Sequence, residues 1–256
     1  MLYDKLPVVL LSTLASEKTD STNSVIAEYI LTHRQDAASA GIKDLAEACH
    51  VGTGSISRFC REIGLQDFSE LKSLLKDAEF TFEYEKDLPD AAERMRTWKD
   101  HVCDAVGMVQ ESIDIDAVRA LCADLHSYRN IYVYGMMKGQ SAALCMQADM
   151  LMMGRHVMTS VSYAAQIDSI LHAGKEDLIV VFSYTASYFD YQDFRAAERR
   201  LILPKIWIVC GKNAQLPWFV DGAIRFASLQ DQRSHPYQLL AAEGLIMQEY
   251  AYMYHE

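Results

Sequence analysis

Between Gly41 and Ser69, apolar residues recur twice at helical spacing with a tight break between the two runs. Ile42, Leu45, Ala46 and Cys49 fall at i, i+3, i+4 and i+7, and Ile56, Phe59, Cys60 and Ile63 repeat the spacing after His50-Val51-Gly52. The pattern predicts two short amphipathic helices joined by a turn, a helix-turn-helix. If the second helix turns its apolar stripe inward, Thr53, Ser55, Ser57, Arg58 and Arg61 are left on the other side, with Lys43 nearby on the first helix. Hydroxyls near a helix N-terminus can meet phosphates or base edges, and arginine can take a phosphate or grip guanine with two hydrogen bonds. Such a face suits a groove of double-stranded DNA. The same pattern also fits a plain two-helix hairpin whose charged face is simply solvated.

Length and charge frame that choice. A chain of 256 residues, half of them hydrophobic, is long enough for two domains with substantial cores. The net charge is -11, and residues 1–77 hold 8 Lys+Arg against 11 Asp+Glu. A clear basic footprint is therefore missing, and the DNA-binding reading rests on the local face of Arg58, Arg61 and Lys43, with Asp44, Glu47 and Glu62 expected off it. An acidic remainder limits non-specific DNA binding and puts weight on a dimer presenting two reading heads.

Six cysteines at 49, 60, 103, 122, 145 and 210 form no CxxC pair and sit mostly in apolar stripes, as buried thiols of a reducing cytosol do. Eight scattered histidines show no HxxxH or HExxH spacing, so neither a metal nor a cofactor is expected. The absence of an 18-residue apolar run or a secretory signal pattern predicts a cytoplasmic protein with no membrane partner.

Residues 78–112 are charged and change character at Pro89. A helix is expected from about Asp90 to Glu111, carrying the chain away from the first domain. Beyond it, helical and apolar runs alternate. A helix capped by Asp116 reaches about His126, followed by the strand Ile131–Tyr134 and a helix from Lys138 to Met153. Then come a short strand near His156–Thr159, a helix near Tyr163–Leu171 and the strand Leu178–Phe182. A helix from about Ser187 to Arg200, the strand Ile206–Val209, a weaker strand at Ala223–Phe226 and a long helix after Pro236 complete the chain. This interleaving predicts a parallel sheet with helices on both faces.

In such sheets ligands bind at the carboxyl ends of the strands, where helix N-termini favour anions. Two junctions qualify: Gly135-Met136-Met137-Lys138-Gly139-Gln140-Ser141 and Phe182-Ser183-Tyr184-Thr185-Ala186-Ser187. Their hydroxyls, glycines and lysine could cradle a phosphate, although hydroxyl-rich turns also serve as ordinary helix caps. GMMKGQS is not a P-loop, because its lysine precedes the second glycine. Met146, Met150, Met152 and Met153 read as core filler rather than a soft-metal site, while Tyr184, Tyr188, Phe189, Tyr191 and Phe194 could stack a ligand, line a subunit interface or pack the core.

The stretch TDSTNSVIAEYILTH followed by GIKDLAEACHVGTGSISRFCREIGLQDFSELKSLL resembles the N-terminal domain of the RpiR family of bacterial transcriptional regulators. The run Ile56-Ser57-Arg58-Phe59-Cys60-Arg61, then Gly64 and Phe68-Ser69-Glu70-Leu71-Lys72, carries the likeness in order and spacing. Gly52 and Gly54 depart from the capping serine and the alanine usual there, and a glycine in the first turn loosens a helix start by up to ~1 kcal/mol. Residues from about 115 to 250 resemble a sugar isomerase (SIS) domain, the usual C-terminal partner. The resemblance implies an all-α helix-turn-helix domain at 1–77, a linker and connecting helix at 78–112, and an SIS-like α/β domain with a five-stranded parallel sheet at 113–256.

It also implies a homodimer or homotetramer, a double-stranded DNA operator as partner and a phosphorylated sugar as effector. The residues it singles out for that effector are Gly135, Lys138, Gly139, Ser141, Ser183, Thr185 and Ser187. The match at the two junctions is partial. Met137 stands where the family has glycine, Gly139 where it has the phosphate-binding serine, and Ala186, Ser187 and Tyr188 replace its Gly-Glu-Thr.

The leading expectation is thus a regulator of sugar-metabolism genes, acting as a repressor, with no catalytic residues. A sugar-phosphate isomerase is the alternative in a second class. It needs a positioned acid or base, and the junctions offer hydroxyls but no carboxylate, with only His235 and Glu243 near the final helix as candidates. A DNA-binding protein with a vestigial or altered sensor is the third class.

Overall fold

The computed structural model describes residues 5–77, 82, 84–191 and 203–255. Six helices come first: α1 (Lys5–Ser16), α2 (Thr22–Thr32), α3 (Arg34–Ser39), α4 (Ile42–Ala48), α5 (Thr53–Glu62) and α6 (Phe68–Asp77). The predicted stripes make their core, since Leu45, Ala46, Cys49, Ile56, Phe59, Cys60 and Ile63 are all buried together with Ile26, Ile30, Leu71 and Leu75. The turn between α4 and α5 closes as a Schellman motif. Val51 N donates to Ala46 O at 2.9 Å and His50 N to Glu47 O at 3.0 Å, which requires φ +54° at His50. After α5 the same device recurs with Gly64 at φ +84°. At the start of α5, Gly52 provides an extended cap with no side-chain hydrogen bond, and a Cβ at Gly54 would meet nothing within 4 Å, so packing does not require that glycine.

Helix α7 (Ala91–Ser112) begins at Asp90, whose carboxylate accepts from Glu93 N at 3.0 Å. The expected cap of α8 (Ile115–Ser127) is corrected from Asp116 to Asp114, which accepts from Asp116 N at 3.0 Å. The α/β part then runs β1 (Asn130–Gly135), α9 (Lys138–Met152), α10 (Tyr163–His172), β2 (Asp177–Phe182), a 3-10 turn at Ser187–Tyr191, β3 (Lys205–Gly211), β4 (Gly222–Phe226) and α11 (His235–Tyr254). The sheet is all parallel in the order β1-β2-β3-β4, with Val133 beside Val180, Val180 beside Trp207 and Trp207 beside Gly222.

Among the described residues the expected five strands are four. The segment near His156–Thr159 contributes one bridge, Met158 to Tyr132, held by Val133 N to Met158 O and Met158 N to Ile131 O, each 2.8 Å. Beside the bridge, Gln147 Nε2 of α9 donates to Val157 O at 2.9 Å, which satisfies that carbonyl without a further strand. The helix expected at Ser187–Arg200 is a 3-10 turn as far as Tyr191; positions beyond it, Phe194 among them, lie outside the described residues.

Alternation along the strands sorts the core into two layers. Leu178, Val180 and Phe182 face α7, α8, α9 and α11, while Ile179 and Val181 face α10 and a cluster that continues without a break into the six N-terminal helices. Met146 and Met150 fill the first layer, as expected of them, whereas Met152 is exposed. Cys49, Cys60, Cys122 and Cys210 are buried, but Cys103 and Cys145 are exposed on outward helix faces, a correction to the expectation of buried thiols.

Candidate functional site

Two places gather the residues singled out in the sequence. The first is the outward face of α5. Arg58 and Arg61 are exposed there with Thr53, while Ser55 and Ser57 are half-buried and Lys43 is exposed on α4. Opposite them Ile56, Phe59 and Cys60 are fully buried, so the stripe fixes which side chains face outward. Ser57 Oγ is turned back to Thr53 O at 3.2 Å, within the helix. Asp44 is drawn off this face, its carboxylate accepting from Gly41 N at 2.9 Å.

Glu62 is not off the face. It lies one turn from Arg58, Oε1 3.6 Å from Nε, and its other oxygen accepts from Asn23 Nδ2 at 2.8 Å. With both side chains about half exposed, 59% and 45%, the pair is held weakly and a phosphate can replace the carboxylate. Arg58 and Glu62 also border a crevice of about 460 Å3 whose other walls are α1, the start of α2 and the start of α10.

The second place is a cavity at the carboxyl ends of β1 and β2. Lys138, Gly139, Ser183, Thr185 and Ser187 line it, as does Met137, and so do three groups from elsewhere: Val8 of α1, and His235 and Leu239 of α11. Met136, Phe182, Tyr184 and Tyr188 also line it. Gly135 and Ser141 do not line it. Gly135 serves packing, since a Cβ there would lie 2.5 Å from the carbonyl group of Gly139, and Ser141 is exposed on α9.

The loop geometry explains the partial match at these junctions. Met137 sits at φ +53°, ψ -114°, and Ala186 at φ +58°, both regions that glycine occupies freely. The backbone thus keeps a glycine shape at two positions where the side chain is not glycine, at a cost of about 1–3 kcal/mol each. At Gly139 the reverse holds. A Cβ there would stand 2.4 Å from Phe182 O, so the last carbonyl of β2 occupies the space that a serine at this position needs.

Among the described residues the cavity's charge has one sign. Lys138, at the first turn of α9, is its cation, with Nζ donating to Gln232 O at 3.0 Å, and no described carboxylate lines the wall. His235 is buried, and desolvation, with the Lys138 charge adding to it, holds its imidazole down to about 4, so it is neutral at pH 7. Thr185 Oγ1 and Ser187 Oγ are 2.6 Å apart, and Ser183 Oγ accepts from Tyr188 N at 3.2 Å. An ammonium, a helix N-terminus and clustered hydroxyls make an environment for an anion. Glu243 lies outside this cavity, between α11 and α9, where burial and the nearby Asp149 push its carboxyl up to about 8.

Lys138, Ser183, Thr185 and Ser187 were readable from the junction chemistry, and His235 from its place before the last helix. The aromatic cluster points to Tyr184 and Tyr188, whereas Val8 and Leu239 carry no local signal. Among the described residues no group of three His, Cys, Asp or Glu side chains is gathered as a metal site, and no helix is long and apolar enough to cross a membrane.

Comparison with known proteins places both halves. The HTH-type transcriptional regulator HexR of Pseudomonas aeruginosa is 30% identical over 169 residues, 62% of this chain and 58% of that protein. GlvR of Bacillus subtilis, also an HTH-type transcriptional regulator, is 27% identical over 128 residues, 50% of this chain and 46% of that one. The chain thus spans about half the length of the curated relatives it matches. In fold, it resembles the NanR protein of Vibrio vulnificus, solved in complex with ManNAc-6P, with a TM-score of 0.54 at 16% identity over 97% of this chain and 92% of NanR. Residues 10–80 match the model of the helix-turn-helix domain of the rpiR family.

Proposed function

We propose that this protein is a DNA-binding transcriptional regulator of sugar-metabolism genes, a cytoplasmic repressor whose hold on its operator is modulated by a phosphorylated sugar. One observation carries the reading: a helix-turn-helix that exposes Arg58 and Arg61 is joined to an α/β domain whose strand-end cavity has, among the described residues, a lysine, hydroxyls and no carboxylate. Thr53, Ser55, Ser57, Arg58 and Arg61, with Lys43, make the DNA face. Lys138, Gly139, Ser183, Thr185 and Ser187 hold the effector's anionic group, the glycine through its backbone. HexR and GlvR, named as transcriptional regulators, and NanR, solved with a sugar phosphate, support this assignment.

The working units are a reading head at 1–77, a connector at 78–112 and a sensor at 113–256. A single helix-turn-helix reads too few base pairs for useful selectivity, so the active species is a homodimer or a homotetramer on a two-fold operator. In vitro selection of bound DNA tests this, with a palindromic site beside sugar-catabolism genes as the expected result. In parallel, replacing Ser183 and Thr185 together by alanine should abolish the thermal shift given by a binding sugar phosphate. Lost hydrogen bonds to an anion, ~1.5–3 kcal/mol each, weaken binding about a hundredfold or more. Selection that recovers no preferred sequence would sink the regulatory reading.

A sugar-phosphate isomerase is disfavoured because, among the described residues, the imidazole in the wall, His235, is held far below neutrality and no carboxylate joins it. The Phe182 carbonyl at the place of the expected phosphate-binding hydroxyl favours a sensor altered toward a different anion geometry.

A further inference from the structure

The strand-end cavity measures only about 70 Å3, against ~300–1,000 Å3 for sites that enclose a small organic ligand. Part of what closes it is a helix of the DNA-binding bundle. Val8 of α1 lines the cavity and is buried, and one turn on, Ser12 fastens the same face of α1 to the α/β domain. Its hydroxyl donates to Val161 O at 2.9 Å and accepts from Tyr163 N at 3.0 Å, at the start of α10. Tyr163 in turn reaches the cavity wall, its phenol donating to Tyr188 O at 3.1 Å.

The geometry points to α1 as a removable wall of the effector pocket: a phosphorylated sugar enters by displacing Val8 and Ser12 from their seat, so that effector binding and α1 docking compete. This rests on the sensor reading of the cavity. It supplies the coupling that reading needs, because α1 also packs on α2 and α6 in the bundle that presents α5. An effector that unseats α1 must shift the whole reading head relative to the α/β domain. A ligand can move such an equilibrium only through its differential affinity for the two arrangements, and here the difference is steric. The pocket has room for the ligand only when α1 is away.

The test is calorimetric titration of the full chain, Ser12→Ala and Val8→Ala with glucose 6-phosphate and ManNAc-6P, alongside amide hydrogen exchange of residues 6–16 with and without each probe. The Ser183/Thr185 double alanine variant reports whether a probe sits in this cavity. Unlatching α1 should tighten binding about tenfold in Ser12→Ala and severalfold in Val8→Ala, and α1 amides of the parent should exchange faster when a probe is bound. A probe whose binding needs Ser183 and Thr185, yet binds parent and Ser12→Ala equally and leaves α1 exchange unchanged, overturns the removable wall while sparing the sensor. Binding of neither probe to any variant, the unlatched ones included, overturns the sensor reading for sugar phosphates and this inference with it.

Discussion

Restoring the family's serine at position 139 should damage the protein rather than improve its phosphate site. A Cβ on Gly139 would stand 2.4 Å from Phe182 O and 3.4 Å from the carbon of that carbonyl, whereas real Cβ contacts begin near 3.0 Å. The obstacle is backbone, not a flexible side-chain tip. Phe182 is the last residue of β2, paired with Gly135 on one side and Val209 on the other, and Ser183 N continues the ladder to Val209 O at 3.1 Å. Relief therefore requires α9 to move off the sheet, and overpacking of this kind costs typically ~1–3 kcal/mol.

In a domain of this size each kcal/mol lowers Tm by roughly 2–4 °C, so Gly139→Ser should melt about 2–12 °C below the parent. Differential scanning calorimetry measures the loss, and the titrations described above measure phosphate affinity, which should not rise. A Gly139→Ser variant as stable as the parent that binds sugar phosphates more tightly would refute the reasoning, because it would mean that β2 and α9 stand further apart than the carbonyl contact implies.

Met137→Gly should act oppositely: removing a side chain from φ +53° relieves strain of ~1–3 kcal/mol, partly offset by the freer unfolded chain, for a net gain of roughly 0–2 kcal/mol in urea denaturation. Glu243, at about 8 when folded against 4.5 ordinarily, keeps a proton that the unfolded chain loses, so stability falls as pH rises from about 4.5 to 8. At ~1.4 kcal/mol per pH unit this amounts to roughly 3 kcal/mol by pH 7; Glu243→Gln should raise Tm at pH 7–8 and flatten its pH profile there, and an unchanged profile would show that the carboxyl ionises freely. Arg58→Ala should leave Tm within about 1–2 °C, since its exposed pair with Glu62 is weak. In binding assays on a selected operator it should either relax specificity at one position by ~1–3 kcal/mol or reduce the salt slope by about one, and unchanged binding would remove α5 from the DNA-reading role.

The amino-acid order alone determined most of the elements and their type. Stripes at 3.6 spacing located α4 and α5 to within a residue or two, because burying one face of a helix is a local condition written in neighbouring residues. Short continuous apolar runs and cap residues did the same for β1 to β3 and for α7, though the choice between Asp114 and Asp116 at the head of α8 turned on a hydrogen bond two residues long. Junction chemistry likewise marked Lys138, Ser183, Thr185 and Ser187. Only the tertiary structure decided what stands around them. Val8, Tyr184, His235 and Leu239 come from segments up to more than two hundred residues apart, and no spacing rule links them. Whether Glu62 lies beside Arg58 in its working rotamer, whether a fifth strand pairs beyond one bridge, and whether position 139 has room for a Cβ are settled by distances between different elements. Those distances follow from how the layers pack, a sum over many contacts that no single stretch of sequence contains.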